Sequence, residues 1–258
     1  MRRALVLLVG TLITVTGAAA DGPSTIVRFS PDGPPGTGLS AMGRARGHEY
    51  LKTAAGDEAG VWRGEAATFG PSKAKYSEFM YFLEGSVTLI DRDGRQETFT
   101  AGDAVLVPRG TEYTWKQAEA VRKYYVVFDR DAAATAATAA AEAQKPTFMR
   151  LDPSALTGKA PAANGRTTSH RYYAGGDKSS VGVWHTKPHT GDGFHTTKYA
   201  ELMVFLEGSG SLAMPDGKEQ AFKAGDVVLV PKGASYKWKS EATRKFWVIF
   251  DNQASATE

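Results

Sequence analysis

The chain is patterned as short hydrophobic runs of strand length, separated by turn sequences. Residues 124–128 (YYVVF) and 246–250 (FWVIF) consist of β-branched and aromatic residues, which favour strands. Residues 78–83 form a similar run, and residues 92–94 (RDG) have the composition of a tight turn. No segment shows the 3.6-residue period of an amphipathic helix. Short strands with turns every ~8–12 residues predict an all-β sandwich or small barrel.

The sequence repeats itself once. Residues 75–89 and 198–212 are identical at ten of 15 positions, and residues 101–116 and 224–239 are identical at 11 of 16. Both pairs have the same offset of 123, so the chain is a tandem duplication. A period above 100 residues is too long for a solenoid, whose units span ~20–50 residues. Each copy is therefore expected to form a domain of its own.

The repeats divide the chain into predicted domains. The N-terminal domain covers residues 25–131 and the C-terminal domain residues 147–252. Residues 132–146 join them and are rich in alanine. Alanine favours helix, but a stretch of small residues has no apolar face to pack against the domains. We interpret this stretch as a linker.

Composition and charge exclude several classes of protein. Apolar residues make up 42% of the chain and charged residues 23%, which is ordinary for a globular protein and unlike a disordered one. Cysteine is absent, which excludes disulfides, thiolate metal sites and cysteine nucleophiles. The net charge of +3 falls to +1 without Arg2 and Arg3, because 29 basic residues then face 28 acidic ones. This balance argues against a nucleic-acid partner.

The first 20 residues have the pattern of a cleaved signal peptide. Arg2 and Arg3 form a positive start, residues 4–15 are largely apolar, and residues 18–20 (AAA) offer the small side chains that a signal peptidase requires. The apolar run is too short to span ~30 Å of hydrocarbon, which disfavours the alternative of a membrane anchor. We expect a periplasmic or secreted protein with no membrane association after cleavage.

Two motifs that occur in both copies resemble those of the cupin superfamily. The second cupin motif contains G-x5-P-x-G, and the first ends in E-x6-G. The matching residues are Glu78, Gly85, Gly102, Pro108 and Gly110 in the first copy and Glu201, Gly208, Gly225, Pro231 and Gly233 in the second. The sequence around them is most similar to the branch that contains ureidoglycine aminohydrolase and the ethanolamine-utilisation cupin. The resemblance implies a bicupin, with two tandem double-stranded β-helix (jelly-roll) barrels.

The resemblance also bears on metal binding in the first copy. In metal-binding cupins, two histidines and the glutamate of the first motif and one histidine of the second motif hold a divalent ion. The first copy has Ser72, Ala74 and Tyr113 at the histidine positions and keeps only Glu78. The resemblance therefore implies no metal in the N-terminal barrel.

The second copy retains more of the ligand set. It has His195 at the first histidine position and Glu201 at the carboxylate position, whereas Thr197 and Tyr236 replace the other histidines. His189 lies close by in the sequence. A Zn, Mn, Ni or Fe ion held by His195 and Glu201, with His189 or Tyr236 completing the set, is one hypothesis. In the alternative, His189 is an exposed residue on a strand or turn.

Aromatic and carboxylate residues recur at positions that should face each barrel interior. Strand alternation and the family register direct the glutamate and an adjacent tyrosine inward, opposite a tyrosine and a tryptophan. These residues are Tyr76, Glu78, Tyr113 and Trp115 in the first copy and Tyr199, Glu201, Tyr236 and Trp238 in the second. One interpretation is a side-chain-filled core, in which a tyrosine hydroxyl donates to the carboxylate. The other is an aromatic-lined pocket for a ligand.

Basic residues recur as well, at Arg122-Lys123 and Arg244-Lys245. Charge on a strand is usually exposed to solvent or paired at a surface. We therefore expect these residues on an outer face or in an interdomain ion pair, with a small acidic ligand at the barrel mouth as the alternative.

Three functions are compatible with these observations. The first is a non-catalytic module that binds a small polar or acidic molecule. The second is a metal-dependent enzyme acting through the C-terminal barrel, with hydrolysis of a ureido or amino compound as the reaction to test and with isomerase or lyase chemistry as variants. There Glu201 would help to hold the metal and Tyr236 would move a proton. The third is a structural protein with filled barrels. The barrels are expected to pack together or to form a homodimer.

Signal cleavage gives the first testable prediction. Exported protein should begin at Asp21, because residues 18–20 satisfy the cleavage rule. Intact-mass measurement of protein from the periplasm or medium checks this. A mass that includes residues 1–20 would contradict it.

Overall fold

The computed structural model of the chain describes residues 25–130 and 146–251. The expected signal peptide at residues 1–20 and nearly all of the expected linker at residues 132–146 lie outside these ranges. The regular secondary structure of the described residues is almost entirely β-strand, which confirms the predicted all-β class, and it includes a short 3-10 helix at Pro153–Leu156. No helix within the described ranges is long and apolar enough to cross a membrane.

The strands of the first repeat are β1 (Val27–Arg28), β2 (Ser40–Met42), β3 (Ala45–Lys52), β4 (Glu58–Gly64), β5 (Ala67–Lys73), β6 (Ser77–Glu84), β7 (Ser86–Asp91), β8 (Gln96–Thr100), β9 (Ala104–Val107), β10 (Glu112–Gln117) and β11 (Val121–Phe128). The strands of the second repeat are β12 (Met149–Leu151), β13 (Thr167–Ala174), β14 (Ser180–Thr186), β15 (His189–Thr190), β16 (His195–Thr196), β17 (Ala200–Glu207), β18 (Ser209–Ala213), β19 (Glu219–Lys223), β20 (Val227–Val230), β21 (Ser235–Ser240) and β22 (Thr243–Phe250).

Within the described residues, each repeat forms a barrel from a larger and a smaller antiparallel sheet. In the first barrel the larger sheet has the order β12-β9-β6-β11-β4-β3-β2 and the smaller has β5-β10-β7-β8. In the second barrel the orders are β1-β20-β17-β22-β14-β13 and β15-β21-β18-β19, with β16 also paired to β21. This arrangement confirms the predicted pair of jelly-roll barrels.

The two larger sheets pack face to face, and their central strands are buried on both sides. Along β9, Ala104 and Leu106 belong to a core shared by the two repeats, whereas Val105 and Val107 belong to the interior of the first barrel. The strand is therefore apolar at every position, because both of its faces exclude water. The equivalent strand of the second repeat, β20, follows the same rule. The shared core also includes Phe79, Val126, Phe128, Leu202, Val204, Leu229, Val248 and Phe250.

The repeats exchange their first strands. β1 pairs with β20, so that Val27 lies opposite Leu229, and β12 pairs with β9, so that Met149 lies opposite Leu106. An arginine on each exchanged strand forms an ion pair with an aspartate of the other repeat, Arg28 with Asp226 and Arg150 with Asp103. Each barrel therefore needs a strand from the other repeat to complete its larger sheet.

One end of the shared core contains buried carboxylates. Asp57 is only 4% exposed, and one of its oxygens accepts a hydrogen bond from the backbone N–H of Asp251 in the other repeat, at 3.3 Å. Burial raises the pKa of Asp57 to about 6, and the neighbouring carboxylates of Asp177 and Asp251 add to the shift, while Arg130 opposes it. The ionised form of Asp57 is therefore disfavoured in the folded protein.

The buried carboxylate predicts a pH-dependent stability. Because the pKa of Asp57 is higher in the folded than in the unfolded chain, its contribution is fully present below about pH 4 and is lost as pH rises through 6. Asp57→Asn should raise the free energy of unfolding by about 1–3 kcal/mol at pH 8 and by little at pH 4. Urea denaturation at both pH values measures this.

Asp192→Asn, at an exposed turn position, is the matched control and should be neutral at both pH values. An equal effect of Asp57→Asn at pH 4 and pH 8 would contradict the account.

Candidate functional site

A cavity of about 210 Å³ lies in the first barrel between its two sheets. Its walls come from β5, β6, β10 and β11. The lining residues are Phe69, Ser72, Glu78, Tyr113, Trp115 and Lys123. The structure thus brings together three residues that the sequence analysis assigned to the interior, Glu78, Tyr113 and Trp115, and adds a lysine that it placed outside.

A buried ion pair forms the polar part of this cavity. The Lys123 ammonium donates to Glu78 Oε1 at 2.7 Å, and its nitrogen lies 2.8 Å from Met80 Sδ. The side chains of Lys123 and Glu78 are 9% and 16% exposed, so water screens the pair weakly. A charged group this deeply placed requires a partner, and each of these two residues supplies it for the other.

Two tryptophans enclose the Lys123 ammonium. Its nitrogen lies 4.9 Å from the ring centroid of Trp115 and 5.3 Å from that of Trp62, within the range of cation–π attraction. The two rings are nearly perpendicular, with centroids 6.2 Å apart. Lys123 lies directly opposite Trp62 in the β11–β4 ladder. The strand register therefore fixes the ammonium between the rings.

Hydrogen bonds through Gln117 fix the position of Trp115. Its indole N–H donates to Gln117 Oε1 at 2.6 Å. The amide nitrogen of Gln117 donates in turn to the backbone carbonyls of Gly64 and Glu65, at 3.0 and 2.6 Å. Gln117 thereby closes this end of the first barrel and orients the indole that walls the cavity.

The second barrel repeats the same arrangement. The Lys245 ammonium donates to Glu201 Oε1 at 2.6 Å and lies 5.3 Å from the ring centroids of both Trp184 and Trp238. Those rings are also nearly perpendicular, at 5.7 Å. The indole N–H of Trp238 donates to Ser240 Oγ at 2.8 Å, where the first barrel uses a glutamine.

These contacts correct two expectations. Lys123 and Lys245, expected on an outer face or in an interdomain ion pair, are buried inside the barrels, and each pairs with a glutamate of its own repeat. The carboxylate of each inward glutamate accepts its hydrogen bond from a lysine and not from a tyrosine hydroxyl. A lysine is better suited to this place than a phenol, because its full positive charge compensates the carboxylate charge as well as its lone pairs.

The tyrosines lie beside the pair without bonding to it. Burial, followed by the nearby carboxylates of Glu78 and Glu201, raises the pKa values of Tyr113 and Tyr236 well above the usual range, so both remain protonated phenols. Tyr76 and Tyr199 are half-buried next to them, and burial raises their pKa values as well.

The rims of the two barrels differ at the aligned positions Ser72 and His195. Ser72 lies opposite Tyr113 in the β5–β10 ladder, and His195 lies opposite Tyr236 in the β16–β21 ladder. Ser72 and His195 are thus structurally equivalent, as their alignment predicts. His195 is exposed, and its ring packs against that of Tyr236 with centroids 4.3 Å apart.

The residues of the second barrel do not fit the expected metal. His189 lies opposite Ser240 and His195 opposite Tyr236, four residues apart on β21, which corresponds to ~13 Å. Ligands of one ion must all lie within ~2.0–2.6 Å of it. Glu201 is bonded to Lys245, and Tyr236 is a protonated phenol. Across the described ranges, no group of three or more His, Cys, Asp or Glu side chains is arranged to hold a metal ion.

His189 instead lines a second cavity at the far end of this barrel. Its volume is about 650 Å³, and it opens between β15, β18, β19 and β21. Its walls combine polar side chains, among them Ser209, Ser211 and Lys239, with apolar ones such as Phe222. Although His189 and His195 are close in the sequence, they lie in different parts of the barrel.

The chain matches known proteins at the level of family and fold. Residues 51–125 and 174–246 match the family described as the EutQ-like cupin domain. A protein of unknown function from Pseudomonas syringae pv. tomato is similar at 22% identity and a TM-score of 0.70, covering 87% of this chain and 99% of that one. A search of curated proteins finds no match.

Two further solved structures share the fold. A putative glyoxylate-induced protein from Pseudomonas aeruginosa has 12% identity and a TM-score of 0.57, covering 85% of this chain and 86% of that one. Salicylate 1,2-dioxygenase from Pseudaminobacter salicylatoxidans has 14% identity and a TM-score of 0.53, covering 80% and 76%. At these identities the likeness establishes a common architecture.

Proposed function

This chain belongs to the family of EutQ-like cupin domains, and on that premise we propose that it is a binding protein whose N-terminal barrel takes up a small polar molecule. The observation that carries the proposal is the Lys123–Glu78 pair, which lies in the wall of an aromatic-lined cavity. A core filled by side chains would not be expected to keep an ion pair next to an empty cavity. A binding site typically has a few polar groups within apolar walls.

The hydrogen-bonding groups of the cavity favour a ligand with both a donor and an acceptor. Among the described residues, the second carboxylate oxygen of Glu78 and the hydroxyl of Tyr113 make no hydrogen bond. A ligand N–H or O–H would satisfy the former, and a carbonyl or carboxylate oxygen would accept from the latter and from Lys123. Amides, ureido compounds and hydroxy acids have this combination.

The cavity volume limits the size of the ligand. The cavity volume is about 210 Å³. It is smaller than the ~300–1,000 Å³ of sites that enclose drug-sized ligands. Trp115 and Phe69 supply flat apolar walls for the carbon skeleton. The ligand class is thus a polar molecule of a few carbon atoms.

The alternative hypothesis, a metal-dependent enzyme acting through the C-terminal barrel, gains no support from the geometry. His195, Glu201 and His189 are not assembled around one point, and Glu201 is already paired with Lys245. Tyr236 and Glu201 are better suited to the same binding role that Tyr113 and Glu78 have in the first barrel.

Export is part of the proposal. A binding protein with the signal peptide predicted at residues 1–20 would take up its small molecule in the periplasm or medium. The support for this location is the sequence of residues 1–20. A homodimer likewise stays a prediction.

Removing one hydroxyl from the cavity tests the binding proposal. Probes of up to about six carbons, drawn from amides, ureido compounds, hydroxy acids and dicarboxylates, are screened by thermal shift and measured by titration calorimetry. For a probe that binds, Tyr113→Phe should weaken the affinity about 3- to 10-fold, because one neutral hydrogen bond is lost. Tryptophan fluorescence should respond to the same probe, since Trp115 walls the cavity.

Tyr81→Phe is the matched control, because it removes a hydroxyl from the same barrel at a position outside the cavity. Tyr236→Phe reports whether the second barrel also binds. If no probe class binds, or if Tyr113→Phe and Tyr81→Phe have equal effects, the N-terminal cavity is not the site.

A further inference from the structure

The inward glutamates occupy the position at which metal-binding cupins place a carboxylate ligand. In both barrels this carboxylate is bonded to a lysine of the last strand, at 2.7 Å in the first and 2.6 Å in the second. We infer that Lys123 and Lys245 are the resident cations of the two barrels and stand in the place of the divalent ion. The inference concerns the charge inside the barrel and does not depend on the identity of any ligand.

The geometry sets the ammonium and a metal in competition for one carboxylate. A divalent ion bound to Glu201 at ~2.0–2.2 Å would lie within about 5 Å of the Lys245 nitrogen. Two positive centres that close, shielded from water by two indole rings, repel each other strongly. A metal could bind only after the lysine ammonium had moved away from the glutamate carboxylate and from the two tryptophan rings.

The other side chains near each glutamate are too weak as ligands to offset that repulsion of a metal ion. The first barrel offers only the hydroxyls of Ser72 and Tyr113, which are weak ligands for a borderline ion. The second offers one exposed imidazole, His195, beside the hydroxyl of Tyr236. An ammonium, by contrast, is well satisfied, because it has a carboxylate acceptor and two aromatic faces.

The duplication supplies an internal comparison. The two barrels differ at the rim, where one has Ser72 and the other His195, and behind the tryptophan, where one has Gln117 and the other Ser240. They nevertheless hold the same ammonium, at nearly the same distances. The buried lysine is therefore a common feature of the two barrel interiors and is independent of the residues around the barrel mouth.

Metal loading of the mature full chain is the first test. The protein is incubated separately with Zn, Mn, Ni and Fe(II), desalted and measured by inductively coupled plasma mass spectrometry. Wild type should retain far less than one ion per chain, and neither these metals nor EDTA should shift its Tm. Retention of one ion per barrel, lost on Glu201→Gln or Glu78→Gln, would overturn the inference.

Charge compensation is the second test. Lys245→Met keeps most of the length of the side chain and removes its ammonium group, which leaves Glu201 buried without a partner. Its Tm should fall by about 5 °C or more at pH 8. Lys245→Met combined with Glu201→Gln should recover most of that loss, because the uncompensated charge is gone. Lys223→Met, at an exposed position in the same barrel, is the control and should leave Tm unchanged.

The double variant keeps the test decisive if Lys245→Met does not fold. A double variant as unstable as the single one, or a single variant as stable as wild type, would show that the lysine does not balance the glutamate. Neither measurement uses a ligand, so failure here is distinguishable from failure of the binding proposal.

Discussion

The burial of the central strands of each larger sheet on both faces is the constraint on which the rest of the structure depends. One face closes a barrel and the other packs against the second repeat, so β9 and β20 are buried along their whole length. Each buried Val, Leu or Phe contributes about 1.5–3 kcal/mol. The exchanged strands β1 and β12 extend these sheets across the repeats, which makes each barrel depend on the other. Any polar chemistry inside a barrel must therefore be accommodated within an apolar shell.

An ion pair meets that requirement only at a cost in stability. Desolvating an ammonium and a carboxylate costs several kcal/mol for each ion, and their mutual attraction roughly offsets this. A pair of well-packed apolar side chains would stabilise the barrel at least as well. The presence of Lys123–Glu78 and Lys245–Glu201 is thus poorly explained by stability. It is better explained by a need for fixed, opposite charges at a defined place within each barrel.

Much of the fold could be predicted from the sequence, whereas the lysines could not. The duplication, the turns and the motif residues from Glu78 to Gly110 lead directly to two barrels. On β11, however, Tyr124, Val126 and Phe128 face the other repeat, and Lys123 lies on the face toward the barrel. Because both faces of this strand are buried, no alternation of polar and apolar residues marks the inward side. A lysine in such a strand is then assigned to the surface by its composition alone.

Strand direction explains the remaining differences between expectation and structure. His189 and His195 are six residues apart in sequence, yet they pair with opposite ends of β21. Their proximity in the sequence suggested that the two histidines form a cluster, but the antiparallel ladder holds them apart.

The same ladder places His195 at the position of Ser72, so the two barrels have the same charged interior beneath different rims. A serine leaves the first cavity open beside Tyr113, whereas the imidazole covers Tyr236 with its ring. The two repeats therefore share the same interior charges, and they differ in how easily a ligand can reach those charges. In a duplicated barrel of this kind, the paired charges set the chemistry that a ligand must match, and the rim residue sets which shapes can reach it.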